Sequence, residues 1–171
     1  EVKLGGNALA AVAFAEHIKA TGDKKYLPQL LELVLWIRSM QDENGNFAVH
    51  KIKYPSGEAV KFESEYYPGE AMLALMRAYE ITLDKKWLDA AEKSALYIIN
   101  VRDKGLSPGE LINDHWFLYA LDELYEHSSN KAYAEHAWKI AQGIIEDQNG
   151  EDARYADWAG GYYKNPRTAP A

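Results

Sequence analysis

The sequence predicts an all-α protein, an array of antiparallel helical hairpins with one short β-hairpin inserted near residues 46–64. Three observations predict this fold. Segments 23–41, 84–102 and 130–148 align without gaps. Apolar residues in each copy recur at three- and four-residue steps, the period of one buried helical face. Only a few residues separate each copy from the helical pattern before it, so we expect each pair of helices to be antiparallel.

Each of the three copies opens in the same way, with an Asp or Asn, then a Lys, then an aromatic residue. An Asp or Asn side chain at a helix start accepts hydrogen bonds from amides that have no partner within the helix. We therefore predict helix N-caps at Asp23, Asp84 and Asn130.

A second set of helices precedes these copies, over residues 8–20, 69–82 and 115–127, and is rich in Ala, Leu and Met. Aligning the three units places Ala13, Ala74 and Ala120 at one equivalent position. Small side chains let neighbouring helices approach closely. We therefore expect this set to form a tightly packed inner layer.

The connection between the first and second units is longer than the next one, and the extra residues lie between Asn46 and Glu65. There, β-branched and aromatic residues at 47–54 and 59–64 flank the turn sequence Pro-Ser-Gly-Glu. This pattern predicts a short β-hairpin between two helical hairpins.

The repeats predict one domain, and 171 residues suit one domain. Its units span about 5–45, 66–106 and 112–151, and a fourth unit starts at 155–163. Because the sequence stops soon after that start, we expect the chain to be a piece of a longer repeat protein. The alternative is that the last residues form an irregular closing segment.

Composition excludes several classes of function. The chain carries 19 Lys and Arg against 26 Asp and Glu, a net charge of −7, and its basic residues do not cluster. This balance disfavours nucleic acid and anionic membrane surfaces as partners. No apolar run is long enough to span a bilayer, and cysteine is absent. No HExxH pattern or glycine-rich phosphate loop occurs, so we predict neither metal nor cofactor. The compartment and the oligomeric state stay open.

Several segments resemble those of the α/α-toroid proteins: the Ala-rich first helices, the turn TGDKKYL and the connector QDENGNF. More narrowly, YYPGEAMLALMRAYEITLDKKWLDAAEKSALYI is similar to stretches in the six-hairpin glycosidases and in sugar epimerases of the N-acylglucosamine 2-epimerase and glucuronyl C5-epimerase kind. The resemblance covers most of residues 5–163. In those families six or seven hairpins close into a ring, and loops leading into the inner helices line a central active site. The resemblance therefore implies a partial ring of about three hairpins.

Carboxylates and aromatic rings recur together where the chain enters the predicted inner helices. Sugar recognition uses this pairing, because rings stack on pyranose faces and acids bind hydroxyl groups. Hydrolysis or epimerisation adds a general acid and a general base. The predicted catalytic residues are Glu65, Asp114 and His115. The predicted substrate-binding residues are Tyr66, Tyr67, Glu70, Trp116, Asp157 and Trp158.

Several of these residues also have a structural interpretation. Asp114 is equally a helix N-cap, and Glu70 a first-turn acid that complements the helix dipole. The leading functional hypothesis is a carbohydrate-active domain: a glycoside hydrolase, a lyase or a sugar epimerase. The alternative is a non-catalytic helical-repeat scaffold that binds a peptide or protein. Convergence of Glu65, Asp114 and Asp157 on one concavity favours the sugar enzyme, whereas a concavity lined by scattered polar residues without paired acids favours the scaffold.

Overall fold

The computed structural model describes residues 1–162, and within them the predicted all-α fold is confirmed. Six α-helices form three successive antiparallel hairpins. They are α1 (Leu4–Thr21) with α2 (Leu27–Ser39), α3 (Tyr67–Thr82) with α4 (Lys85–Tyr97), and α5 (His115–Ser128) with α6 (Lys131–Glu146).

Helix α3 lies at the centre of the inner layer. It packs against α1 on one side, α5 on the other and its own partner α4. Residues 68–76 of α3 are all buried. A helix surrounded in this way needs apolar or small side chains on every face, and the run Ala-Met-Leu-Ala-Leu-Met supplies them. Helices α1, α3 and α5 therefore form the predicted inner layer.

The predicted small-residue contacts hold in two of the three units. Ala74 and Ala120 are fully buried. Ala13 is exposed, and α1 instead buries Ala11 and Ala15. The prediction for Ala13 is wrong because, within residues 1–162, α1 has an inner-layer neighbour on one side only. The face that carries Ala13 points away from that neighbour.

The predicted N-caps are confirmed. The side chains of Asp84 and Asn130 accept hydrogen bonds from the amides two residues further on, at the starts of α4 and α6. Asp23 does the same at a 3-10 turn, Lys24–Tyr26, which leads into α2. Helix α4 continues into a π-helical turn, Ile98–Arg102.

The insertion after α2 contributes one strand to the only sheet found within residues 1–162. Strand β1 (Val2–Lys3) pairs antiparallel with β2 (Lys51–Ile52). The predicted partner segment, 59–64, contributes a single bridge from Ala59 to Ile52. A β insertion is thus confirmed, but its main partner is the start of the chain. A two-residue strand has no sequence period that could have predicted this pairing.

The structure describes most of the segment that was predicted to start a fourth unit. Residues 155–162 contain a short 3-10 turn, Ala156–Trp158, and Tyr163 lies outside the described residues. No helix among residues 1–162 combines the length and the apolar character needed to cross a bilayer.

The hairpin connectors yield a stability prediction. The residue after α1 is Gly22 and the residue after α3 is Leu83, and both are left-handed, with φ of 72° and 56°. A left-handed conformation costs a residue with a Cβ about 1–2 kcal/mol, part of which glycine's larger loss of entropy offsets. Leu83 is also 73% exposed, so it contributes little packing. We expect Leu83→Gly to raise the free energy of unfolding by about 0.5–1 kcal/mol in urea denaturation.

The first hairpin supplies the matched control for this change. Gly22→Leu is expected to lower the free energy of unfolding by about 1 kcal/mol, because it introduces the strain that Leu83→Gly removes. A loss of stability in Leu83→Gly would show that its side chain contributes more through packing than its backbone costs.

Candidate functional site

The first turns of the three inner helices lie next to one another. A side chain at Gly5, in the first turn of α1, would collide with Glu70 and with the Tyr67 ring at the start of α3. A side chain at Gly69 would collide in the same way with the Asp114 carboxylate at the start of α5. The two glycines therefore allow the helix starts to approach closely, and the loops that enter these helices meet at this end.

A cavity of about 410 Å³ lies at this end of the array, where the chain enters α3. Its walls combine apolar residues with two carboxylates and one guanidinium. The polar lining residues are Asn46, His50, Glu63, Ser64, Glu65 and Arg102. Both Glu63 and Glu65 are exposed. Of the predicted catalytic residues, Glu65 is the one that lines the cavity.

Four rings form an aromatic ledge, made of Tyr66, His115, Trp116 and Tyr119. Successive ring centroids lie 6.0 Å apart from Tyr66 to His115, 5.0 Å from His115 to Trp116 and 6.2 Å from Trp116 to Tyr119. Tyr66 is 38% and Tyr119 is 56% exposed. The structure thus brings together three of the predicted residues, Tyr66, His115 and Trp116, and Tyr66 directly follows Glu65 in the chain. Tyr119 was missed, although its position one turn after His115 could have indicated it.

Tyr67 belongs to a different ring cluster on the α1 side. Its ring lies 5.8 Å from Phe62 and 5.9 Å from His50, and it is partly buried. Nδ1 of His50 accepts a hydrogen bond of 2.8 Å from the Ser64 amide. Burial lowers the pKa of His50, so this imidazole is neutral at pH 7. His50 and Tyr67 therefore hold the loop that presents Glu65 and Tyr66.

Two predicted site residues, Asp114 and Glu70, are buried at the starts of the inner helices and do not line the cavity. Asp114 has no exposed surface, and it accepts hydrogen bonds of 3.0 and 3.1 Å from the amides of Trp116 and Phe117. It is the N-cap of α5, as its structural interpretation predicts. Glu70, in the first turn of α3, is 7% exposed.

Each of these carboxyl groups has a fully buried oxygen without a hydrogen-bond partner in the described part of the chain. Burial raises the pKa of Glu70 to about 7. Burial also raises the pKa of Asp114 to about 7, against the opposing effects of its two amide donors and of the Arg102 charge. Both groups are therefore partly protonated at neutral pH.

Asp157 and Trp158 lie outside this cavity. Trp158 contacts Tyr155, with ring centroids 4.8 Å apart, and lines a second cavity of about 530 Å³ together with residues 146–150 and 152–154. Asp157 is exposed in the same turn. Glu65, Asp114 and Asp157 therefore do not line one concavity within the described residues.

A charged cluster at the cavity, formed by Arg102 in the lining and by the buried Asp103 and His136, was not predicted from the sequence. Nε and Nη2 of Arg102 donate to the two carboxylate oxygens of Asp103 at 2.6 and 2.9 Å, and Nε2 of His136 lies 2.9 Å from the second oxygen. Burial acts to raise the pKa of Asp103, but the hydrogen bonds from His136 and Arg102 outweigh it and lower that pKa. A basic residue at the end of a helix is common, so the sequence alone could not have indicated this cluster.

The described residues contain no group of three His, Asp or Glu side chains arranged to hold a metal ion. A scan against protein-family models finds no match for this chain, and a search of curated proteins finds no significantly similar sequence. The α/α-toroid resemblance therefore stays a prediction from sequence pattern.

The buried Glu70 carboxyl group yields a prediction about pH. Its pKa is about 7 in the folded chain, against 4.5 as an ordinary value, so folding keeps a proton that the unfolded chain releases. The stability that this group contributes is complete below pH 4.5 and is lost as the pH rises to 7. We expect Glu70→Gln to raise the free energy of unfolding at pH 8 by about 1–3 kcal/mol and to leave it almost unchanged at pH 4.

The control for this change is Glu126→Gln, since Glu126 is an exposed residue on α5. Denaturant unfolding of both variants at pH 4 and pH 8 measures the effect. An equal loss of stability in Glu70→Gln at both pH values would contradict the expectation. It would show that the Glu70 side chain contributes equally to stability in its protonated and ionised forms.

Proposed function

We propose that this chain is an α/α-toroid-type domain that acts on a carbohydrate, with the sugar bound in the 410 Å³ cavity and against the aromatic ledge. The observation that carries the proposal is the adjacency of Glu65 and Tyr66. The first lines the cavity, and the second belongs to the ledge. Exposed rings beside accessible carboxylates are the pair of features that sugar recognition requires.

The size of the cavity also supports a small ligand. Binding sites for small molecules measure roughly 300–1,000 Å³ and combine apolar walls with a few polar groups. Phe47, Pro68 and Ile112 supply the apolar surface, and Glu63 and Glu65 supply acceptors for hydroxyl groups. One or two sugar units suit this space.

The proposed chemistry assigns proton transfer to Glu65. Glycoside hydrolases use a pair of carboxyl groups, and epimerases and lyases need a general acid and a general base. Glu63 is a second carboxylate at the cavity, and His115 lies on the adjoining ledge. Asp114 is assigned the role of helix cap, because a carboxylate without exposed surface does not touch a substrate in this conformation.

The ledge is tested by Tyr66→Ala. Removing a ring that stacks on a sugar is expected to cost about 1–2 kcal/mol of binding free energy, which weakens the affinity roughly 5- to 30-fold. Binding is measured by titration calorimetry with the oligosaccharides that the unmodified chain retains in a glycan panel. Tyr125→Ala is the matched control, since Tyr125 is a 40% exposed ring near the other end of α5.

The same experiment separates the sugar proposal from the scaffold alternative. Exposed apolar side chains on α6, Trp138 at 63% and Ile145 at 62%, favour a protein partner on the outer surface. If no oligosaccharide in the panel binds, or if Tyr66→Ala and Tyr125→Ala bind equally well, the sugar proposal fails and the scaffold is preferred.

The catalytic assignment is tested by Glu65→Gln. The amide keeps the shape of the side chain but cannot exchange a proton, so turnover of a bound oligosaccharide should fall at least 100-fold while its affinity changes little. Glu126→Gln, remote from the cavity on α5, should keep full turnover. Unchanged turnover in Glu65→Gln would remove the residue from the mechanism and leave the binding proposal intact.

A further inference from the structure

We infer that His50 is a positioning residue that makes the candidate site sensitive to acid. The neutral imidazole holds the entry loop, residues 61–65, in place, and the protonated imidazole releases it. This loop carries Glu63 and Glu65, which line the 410 Å³ cavity, and leads into Tyr66 of the aromatic ledge. The effect on ligand binding rests on the proposed function, whereas the release of the loop does not.

The entry loop is attached to the rest of the protein at few points. Residues 61–65 form neither helix nor strand. Within the described part of the chain, the only hydrogen bond that joins them to a segment they do not adjoin runs from the Ser64 amide to Nδ1 of His50, at 2.8 Å. Phe62 adds a ring contact to Tyr67 at 5.8 Å, but Phe62 is itself 36% exposed. The backbone of the loop therefore depends on one imidazole nitrogen for its attachment.

His50 lies on the fixed side of this contact. It is 7% exposed, and its backbone carbonyl accepts a hydrogen bond of 2.9 Å from the Leu4 amide at the start of α1. The next residue, Lys51, begins β2, and its ammonium group lies 3.4 Å from the Glu1 carboxylate. Loss of the bond to Ser64 is therefore expected to free the entry loop and to leave His50 in place.

The partner of Nδ1 decides which nitrogen of His50 carries the proton. A backbone amide can only donate, so Nδ1 must keep its lone pair, and the neutral ring carries its hydrogen on Nε2. Protonation puts a second hydrogen on Nδ1, where it faces the hydrogen of the Ser64 amide. Because two donors cannot share one hydrogen bond, the bond exists only while His50 is neutral.

The groups around His50 keep it neutral in the folded chain. Burial lowers the pKa of His50 and outweighs the opposing effects of a hydrogen bond to the Phe47 backbone and of the Glu63 charge. The other titratable side chains that contact the ring or line the same cavity are Tyr67, Glu65 and Arg102.

The direction of the pH effect follows from these two states. In the released form the imidazole is hydrated and returns toward its ordinary pKa of 6.5, so the released form takes up a proton more readily than the held form. The stability that His50 gives to the held loop is therefore complete above pH 6.5. It is lost as the pH falls below 6.5 and through the lowered pKa of the held form.

The test uses His50→Asn, because the side-chain oxygen of Asn can accept from the Ser64 amide and does not titrate. Exchange of the Ser64 amide hydrogen is followed by NMR in the whole chain at pH 7.5 and pH 5.0 and is corrected for the intrinsic effect of pH on exchange. We expect protection at Ser64 to fall about five-fold or more at pH 5.0 in the unmodified chain, and less than about two-fold in His50→Asn.

Two controls separate release of the loop from other effects. The amide of Leu75, a buried residue of α3, should not lose protection with Ser64, since it exchanges through larger unfolding. His127→Asn changes an exposed histidine near the other end of α5 and should keep the full response at Ser64. Equal loss of protection at Ser64 in the unmodified chain and in His50→Asn, or no loss in either, would overturn the inference.

A second measurement needs no variant and decides the matter even if His50→Asn does not fold. In nitrogen NMR spectra of the unmodified chain, His50 should show the tautomer with its hydrogen on Nε2 at pH 7.5. Its ring should then titrate together with the Ser64 amide signal. The opposite tautomer, or separate titrations of the two groups, would overturn the inference.

Ligand binding connects the loop to the proposed function. The affinity for oligosaccharides retained in the glycan panel should fall about five-fold or more from pH 7.5 to pH 5.0 in the unmodified chain, and less than about two-fold in His50→Asn. An equal fall in both chains would overturn the role of His50 in binding and leave the carbohydrate proposal standing. If Ser64 responds as expected and no sugar binds at either pH, the carbohydrate proposal fails and the control of the loop by His50 stands.

Discussion

The structure depends on the close packing of α3 between α1 and α5. Nine successive residues of α3, 68–76, are buried, so this helix has no solvent-facing side over half its length. Small residues make the contact possible: Ala74 and Ala120 within the layer, and Gly5 and Gly69 at its end. Because interiors pack to nearly crystalline density, these contacts fix how the inner helices begin relative to one another.

This packing separates the acidic residues near the helix starts into two groups. Asp114 and Glu70 occupy the space beside the glycines and are buried, so they take part in the architecture and carry raised pKa values. Glu63 and Glu65 lie on the loop before α3 and stay accessible. Similar carboxylates, a few residues apart in the chain, therefore differ in what they can do. Burial decides which of them can meet a ligand.

The features that the sequence predicted correctly are those with a local periodicity or a capping residue. The features that it missed depend on contacts between residues far apart in the chain. Local sequence pattern predicts the helices, the inner layer and the caps at Asp84 and Asn130. It also predicts that Tyr66 lies near His115 and Trp116, because these residues occupy equivalent positions in adjacent repeats. The burial of Glu70 against Gly5 joins positions 65 residues apart, and no local pattern reports it. The cluster of Arg102, Asp103 and His136 likewise depends on a contact between α6 and the residue that follows the π-helical turn, 33 positions apart in the chain.

The central position of α3 is tested most directly by native-state hydrogen exchange. If α3 is the helix on which the others depend, the amides of residues 71–78 should exchange only through global unfolding. Their opening free energy should then equal that measured with denaturant, and α1 and α6, each with an uncovered side among the described residues, should open at lower free energy. Opening of α3 at a lower free energy than α1 or α6 would contradict the account, because the site could not then rest on a rigid central helix.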